Sequence, residues 1–327
     1  MTISNTTAPA TGSTTTSGTG LVPLGASGID VFPLNLGGNV FGWTLDEDGS
    51  RTVLDAYVEA GGNFIDTANV YSAWVPGNSG GESESILGRW LTDTGRHGSV
   101  HIATKVGALN EEGLSAGAVR SALSASLERL QTDSVALYYA HFDEEGRPIE
   151  EIVDTLAGVV ADGLASSYGL SNWSAPRLQA AITHAGAHGL PLPAALQNRD
   201  NAVTRDDPAL AELTAEHGIL RLPYSALASG FLSGKYSRDG GLPDSPRAKS
   251  VQQHSMDDHG WAVLDAVTAV AAAREVPVAA IALAWVRATG AVPIASARTR
   301  EQLEPLLTGV GLELSADEIE TIDTAGR

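Results

Sequence analysis

Short apolar runs alternate with longer amphipathic stretches along nearly the whole chain, the pattern expected of βα units feeding a parallel sheet. Eight such runs stand out, at residues 34–38, 63–66, 100–105, 134–141, 167–171, 194–197, 219–224 and 291–296. Between them the apolar positions change to helical spacing. In 115–130, Val119, Leu123, Leu127 and Leu130 share one face, and Ser115 stands where an N-cap belongs. The stretch 50–59 carries Val53, Leu54, Tyr57 and Val58 on one stripe and stops at Gly61 and Gly62. Eight strands alternating with helices predict an α/β fold, a (β/α)8 TIM barrel read as a single domain over 21–327.

Two regions fall outside the alternation. Residues 22–32 hold two short alternating segments around Ala26-Ser27-Gly28, which predicts a β-hairpin capping the N-terminal bottom of the barrel. Residues 237–259, rich in Gly, Pro, Asp and Ser, form the longest break and read as a loop able to serve as a lid. The first 20 residues are mostly Thr, Ser, Gly and Ala; they read as a flexible tail and lack the basic and apolar regions of a secretory signal.

Composition narrows the partners. With 39 acidic against 20 basic residues the net charge is −19, so the summed field repels nucleic acid and anionic membranes. A small phosphate-bearing ligand can still be held by a few local cations. Cysteine is absent, which removes disulfides, thiolate nucleophiles and thiolate zinc sites together. No metal site is expected. The apolar runs are far shorter than the roughly 18 residues of a membrane span, and a cytoplasmic protein is the expectation. The oligomeric state, monomer or homo-oligomer, is not legible.

Candidate chemistry gathers at the ends of the runs. Asp66, Lys105 and His141 each end a predicted strand, and Tyr71 follows Asp66 by five residues. In a βα barrel the C-terminal strand ends converge on one mouth, so residues distant in sequence can form one site. A phenol beside an ammonium held by a carboxylate is a means of making a proton donor near neutral pH. Singly, each residue has an ordinary alternative: a turn cap for Asp66, a solvated strand end for Lys105, core positions for Tyr71 and His141. As an ordered set they point to carbonyl chemistry.

The segments FIDTANVY (64–71), SESILG (83–88), IATK (102–105), GLSN (169–172), YSALASGFLSGKY (224–236) and PIASARTREQL (293–303) resemble those of the aldo-keto reductase family, in the same order. The resemblance runs from Val22 to about Ala325. It implies hydride transfer between a nicotinamide dinucleotide and a carbonyl carbon, with Tyr71 donating the proton and Lys105, Asp66 and His141 supporting it. It assigns the cofactor's amide end to Ser171, Asn172 and Gln197, ring stacking to Tyr224, and the pyrophosphate to the loop containing Ser225, Leu227, Gly230 and Lys235. Ser296, Arg298 and Gln302 fall where the family holds the adenosine 2′-phosphate. Arg298 offers a guanidinium fork for it, so NADPH (NADP+) is preferred over NADH.

Other motifs fail on their own terms. The glycines of 37–42 are wrongly spaced for a Rossmann fingerprint, and Ser229 and Tyr236 spoil a P-loop reading of 229–236. His184 and His188 have the i, i+4 spacing of a metal pair but lack the following Glu of a metalloprotease. Trp43, Trp74 and Trp173 lie just after strands and suit an apolar substrate pocket, Trp173 equally suiting the core. The expected function is reduction of an aldehyde or ketone to an alcohol, with a small-molecule carbonyl compound as partner. The alternative is an NADPH-binding barrel that acts as a redox-sensing or regulatory subunit with little turnover.

Overall fold

The computed structural model describes residues 20–109 and 113–326. The tail reading for 1–20 therefore lies, but for its last residue, outside the described residues. Eight parallel strands follow one another around a ring. They are β3 (Asn35–Gly37), β4 (Phe64–Asp66), β5 (His101–Val106), β6 (Leu137–Ala140), β7 (Tyr168–Ser171), β8 (Ala195–Gln197), β9 (Leu220–Arg221) and β10 (Ile294–Ala295), one in each predicted run. Neighbours pair in sequence order, and β10 lies beside β3. The last gap is bridged by backbone bonds from Val292 N to Arg221 O (3.0 Å) and from Ile294 N to Pro223 O (2.9 Å), which close the barrel.

β9 and β10 are shorter than their runs because each run contains a proline. Pro223 and Pro293 have no N–H to give, yet both carbonyls still accept, from Ile294 N and Asn35 N respectively. The ladder continues past β9 through Leu222 N to Leu196 O and Tyr224 N to Asn198 O.

The helices are α1 (Glu47–Glu59), α2 (Glu82–Thr94), α3 (Ala116–Leu130), α4 (Ile149–Ala161), α5 (Ala175–His188), α6 (Pro208–Glu216), α7 (Ala248–Ser255), α8 (Asp258–Arg274), α9 (Val278–Ala288), α10 (Arg300–Gly311) and α11 (Ala316–Asp323). α3 starts as read from the sequence, with the Ser115 hydroxyl accepting from Ala118 N and Val119, Leu123 and Leu130 buried. α1 begins earlier than the apolar stripe indicated, because Asp46 caps it, accepting from Gly49 N. The stretch 237–259 is not loop throughout: α7 and the start of α8 lie within it.

Two apolar layers hold the barrel. Outward residues of the strands pack against the helices in one large core, while Phe64, Ala103, Leu137, Tyr139, Ala195, Leu222 and Ile294 fill the inside. The predicted hairpin, β1 (Val22–Pro23) with β2 (Asp30–Val31), adds Leu24 and Val31 to that inner layer. Its Gly25 has φ +52, and a β-carbon there would sit 2.6 Å from Ala194 O, at the start of β8. The hairpin thus plugs the N-terminal end of the barrel. Among the described residues no single helix is long and apolar enough to cross a membrane.

Candidate active site

Strand alternation explains why the site assembles. Side chains two apart on a strand share a face, so the inward positions Phe64, Ala103 and Leu137 lead to Asp66, Lys105 and, through Tyr139, His141 at the opposite end. Ala195 likewise leads to Gln197, and Leu222 to Tyr224. Tyr71 comes from the turn after β4, where its backbone N–H bonds Ala68 O and Ser72 takes a left-handed φ of 72. The Ser72 hydroxyl ties that turn to Phe41 O at 2.8 Å.

The four predicted residues meet. Lys105 Nζ lies 2.6 Å from Asp66 Oδ2, 2.8 Å from Tyr71 Oη and 2.8 Å from Thr67 O, which uses all three ammonium protons. Tyr71 Oη donates to Asp66 Oδ2 at 2.9 Å. The other carboxylate oxygen accepts from Gln197 Nε2 at 2.9 Å. The His141 ring stands 6.1 Å from the Tyr71 ring, centre to centre.

Lys105 and Asp66 are essentially buried, at 0% and 1% exposure, so the pair is held by geometry and its additional donors rather than by favourable burial of charge. Burial pulls the Lys105 pKa down while Asp66 pushes it back up. Tyr71 departs from the expectation of an acidified phenol. Burial, then the Asp66 charge and the bond to it, raise its pKa well above the ordinary value, because the proton lies between two oxygens, one already anionic. Burial and the Lys105 charge depress His141 to about 3, so its ring is neutral. His141 Nδ1 is buried without a partner.

The segment 83–88 supports this centre from outside the barrel. Ser83 Oγ accepts from Thr67 Oγ1 and donates to Gly38 O, both at 2.8 Å, fixing the residue whose carbonyl holds Lys105. Glu84, fully buried, accepts from Thr104 Oγ1 at 2.5 Å and pairs with Arg129 Nε at 2.7 Å.

A cavity of about 480 Å³ opens over Asp66, Tyr71 and His141. Ser171, Asn172, Gln197, Tyr224, Ser225, Leu227, Gly230 and Ser296 also line it, as do Trp43 and Trp74. Several of these polar groups hold one another: Tyr224 Oη donates to Asn172 Oδ1 at 2.7 Å, Asn172 Nδ2 to His141 O at 2.9 Å, and Ser171 Oγ to Gln197 O at 2.7 Å. Trp173 does not reach the cavity. It is 1% exposed in the outer core, with the Arg177 guanidinium over its ring.

A second cavity of about 370 Å³ continues from the first, sharing Trp43, Leu227, Gly230, Arg247 and Ser296, and is lined further on by Lys235, Arg298, Gln302 and Leu306. Between them the backbone is unusual: Ser225, Ala228, Ser229 and Gly230 have φ of 55, 47, 58 and 98. Left-handed non-glycine residues are costly, and runs of them turn backbone N–H groups toward anions. Lys235, Arg247 and Arg298 form no ion pair among the described residues; burial and then the Arg298 and Arg247 charges lower the pKa of Lys235, and burial and then the Arg298 charge lower that of Arg247. Arg300, by contrast, is paired with Glu59.

Arg247 is the residue that sequence reasoning missed. It precedes α7, lines both cavities, stands over the Trp43 ring at 5.5 Å and has a buried Nη2 without a partner. Its only sequence signal is one cation, flanked by Arg238 and Lys249, in a Gly/Pro-rich stretch. His184 and His188 lie on the outside, rings 4.3 Å apart, with His184 bonded to Asp154 at 2.7 Å. No metal-holding group of three such ligands occurs among the described residues.

Comparison with known proteins agrees with this fold. The chain is 32% identical over 275 residues to a protein of Oryza sativa subsp. japonica named a probable voltage-gated potassium channel subunit beta, spanning 80% of this chain and 81% of that one. It is 30% identical over 320 residues to a norsolorinic acid reductase of Emericella nidulans, spanning 91% and 79%. The glycerol dehydrogenase of Gluconobacter oxydans has the same fold, with a TM-score of 0.77 over 93% of this chain and 94% of that one at 24% identity. The model of the Aldo/keto reductase family matches residues 33–327, nearly the whole barrel with its mouth, and the chain belongs to that family of oxidoreductases.

Proposed function

We propose that the protein reduces an aldehyde or ketone to the alcohol, reversibly, with Tyr71 as the proton donor and NADPH as the reductant. The observation that carries this reading is the Asp66, Lys105 and Tyr71 cluster, closed to within 2.6–2.9 Å at the floor of an open cavity beside a neutral His141. When bound, the dinucleotide supplies the hydride. The chain supplies the proton and the orientation.

A carbonyl oxygen entering beside Tyr71 gains negative charge as reduction proceeds. Tyr71 Oη then turns its proton from Asp66 to that oxygen, and Lys105 remains donating to the phenolic oxygen as it becomes anionic. The His141 ring, which lines the cavity and is neutral at working pH, is suited to orient the carbonyl without delivering a competing charge. Asp66, fixed from both sides by Lys105 and Gln197, keeps the ammonium aimed.

The residues present fit the cofactor. All eleven residues expected to hold it line the two joined cavities, and three unpaired cations, Lys235, Arg247 and Arg298, gather at the second in a chain of net charge −19. Phosphate groups are the natural counterpart of such a cluster. Arg298 is assigned the 2′-phosphate and Arg247 with Lys235 the diphosphate.

The second reading, a regulatory subunit with little turnover, draws on the relative named as a channel subunit. Following nicotinamide absorbance with NADPH and a series of aldehydes and ketones separates the two. Many turnovers per protein molecule support the reductase, whereas tight NADPH binding with less than one turnover would leave the regulatory reading.

A further inference from the structure

The first turn of α2 meets the barrel wall on both sides of Lys105. The Ser83 hydroxyl accepts from Thr67, whose carbonyl accepts from Lys105 Nζ, and the next residue, Glu84, accepts at 2.5 Å from Thr104, the neighbour of Lys105 on β5. Strand side chains alternate, so with Lys105 turned inward Thr104 faces out, and Glu84 approaches the ammonium from behind the sheet. The Glu84 carboxylate is fully buried. Its other oxygen accepts from Arg129 Nε at 2.7 Å, and room for that guanidinium depends on Gly81, where a β-carbon would lie 2.4 Å from Arg129 Nε. Apolar packing in place of such a pair is often neutral or stabilising, so stability alone does not account for it.

We propose that Glu84 is a positioning residue for the proton transfer, fixing the strand end that carries Lys105 and serving as a second counter-ion to its ammonium. The proposal rests on the reductase reading and adds a residue behind its site. Burial lowers the Lys105 pKa; Asp66 and then Glu84 oppose it. The other ionisable groups around the ammonium are Tyr71, its ring 4.6 Å from Nζ, Tyr139 and His141 from β6, and Arg247, which acts on Tyr71 from the segment before α7. With Lys105 neutral, the Tyr71 oxygen would become anionic with no cation beside it, and proton donation would slow. Arg129 offsets part of the Glu84 charge, so the two members of the pair act on Lys105 with opposite sign. A purely structural pair has no such sign.

The test reads Lys105 directly. The lysines of the chain are Lys105, Lys235 and Lys249, so carbon-13 label at lysine Cε lets each be followed by NMR through an alkaline titration of the full chain, with Lys235→Arg and Lys249→Arg assigning the other two. Glu84→Gln should lower the Lys105 midpoint by about half a pH unit or more, and Arg129→Gln should raise it. In aldehyde reduction the alkaline limb of kcat should move the same way in each variant. KM should stay within about twofold of the native chain, since neither residue lines either cavity. An unmoved midpoint in Glu84→Gln, shifts of one sign in both variants, or a shift that leaves the kcat limb in place overturns the proposal. Should Glu84→Gln fail to fold, Arg129→Gln, whose side chain is partly exposed, decides by itself: a midpoint unmoved or lowered there overturns the proposal. If the native chain reduces no aldehyde, the reductase reading fails alone, and the titration still decides whether Glu84 is a counter-ion to Lys105.

Discussion

At His141 the fold sets the charge of one ring. Its pKa falls from 6.5 to about 3 because the fold buries it near the Lys105 charge. Between those values the unfolded chain binds a proton that the folded chain does not, so acid favours unfolding. Stability is therefore full above about pH 6.5 and is lost as pH falls toward 3, at no more than about 1.4 kcal/mol per pH unit from this residue. Urea denaturation at pH 7, 5.5 and 4.5 should show a shallower acid loss for His141→Gln than for the native chain. Parallel loss in both would mean that the ring is not held neutral. The identities of Asp66, Tyr71, Lys105 and His141 were legible because strand ends in a barrel converge by topology. What was not legible is the direction of Tyr71's proton: which oxygen receives it depends on distances below 3 Å that residue order does not encode. The same holds for Gln197, expected at an amide of the cofactor and found bonded to Asp66. For Trp173, apolar spacing alone could not separate a wall of the cavity from the core behind it, and the fold chose the core.

At the scale of elements, strands and long helices could be read because each repeats its apolar spacing several times. α7 could not: it buries only Ala248, Val251 and Ser255, too few apolar positions in a Gly/Pro-rich surrounding to show a period. Arg247, at its N-terminal end, was missed with it. The helix pair that supports the site depends on one small residue. A β-carbon on Gly88 of α2 would lie 2.1 Å from Arg129 O of α3, a backbone atom that cannot step aside. Gly88→Ala must push the helices apart and loosen Ser83 and Glu84 one turn earlier, at a cost of about 2 kcal/mol. Thermal denaturation should report a lower Tm for Gly88→Ala, while Gly117→Ala in α3, where the added carbon meets nothing, should hold or gain stability. Equal effects at the two positions would contradict the tight α2 to α3 contact.

For the whole molecule, charge is distributed unevenly. In a chain of net charge −19, three cations around one cavity form no ion pair among the described residues, an arrangement that costs self-repulsion unless an anionic ligand offsets it. Removing the cation assigned to the 2′-phosphate should therefore separate the two dinucleotides. Arg298→Leu should weaken NADPH at least tenfold, with NADH little changed, when dissociation constants are measured by titration of protein fluorescence. Equal weakening would move the phosphate to Arg247 or Lys235. The barrel itself was legible from eight apolar runs, and its closure between β9 and β10 rests on Val292 N and Ile294 N donating to the carbonyls of Arg221 and Pro223.

The account stands most directly on Tyr71, whose hydroxyl touches both Lys105 and Asp66 at the cavity. Single-turnover reduction of an aldehyde by Tyr71→Phe, with saturating NADPH, measures its part alone. A rate reduced by about 10² or more, with the dissociation constant for NADPH unchanged, is the predicted result. A rate within about threefold of the native chain at equal cofactor occupancy would contradict proton donation by Tyr71.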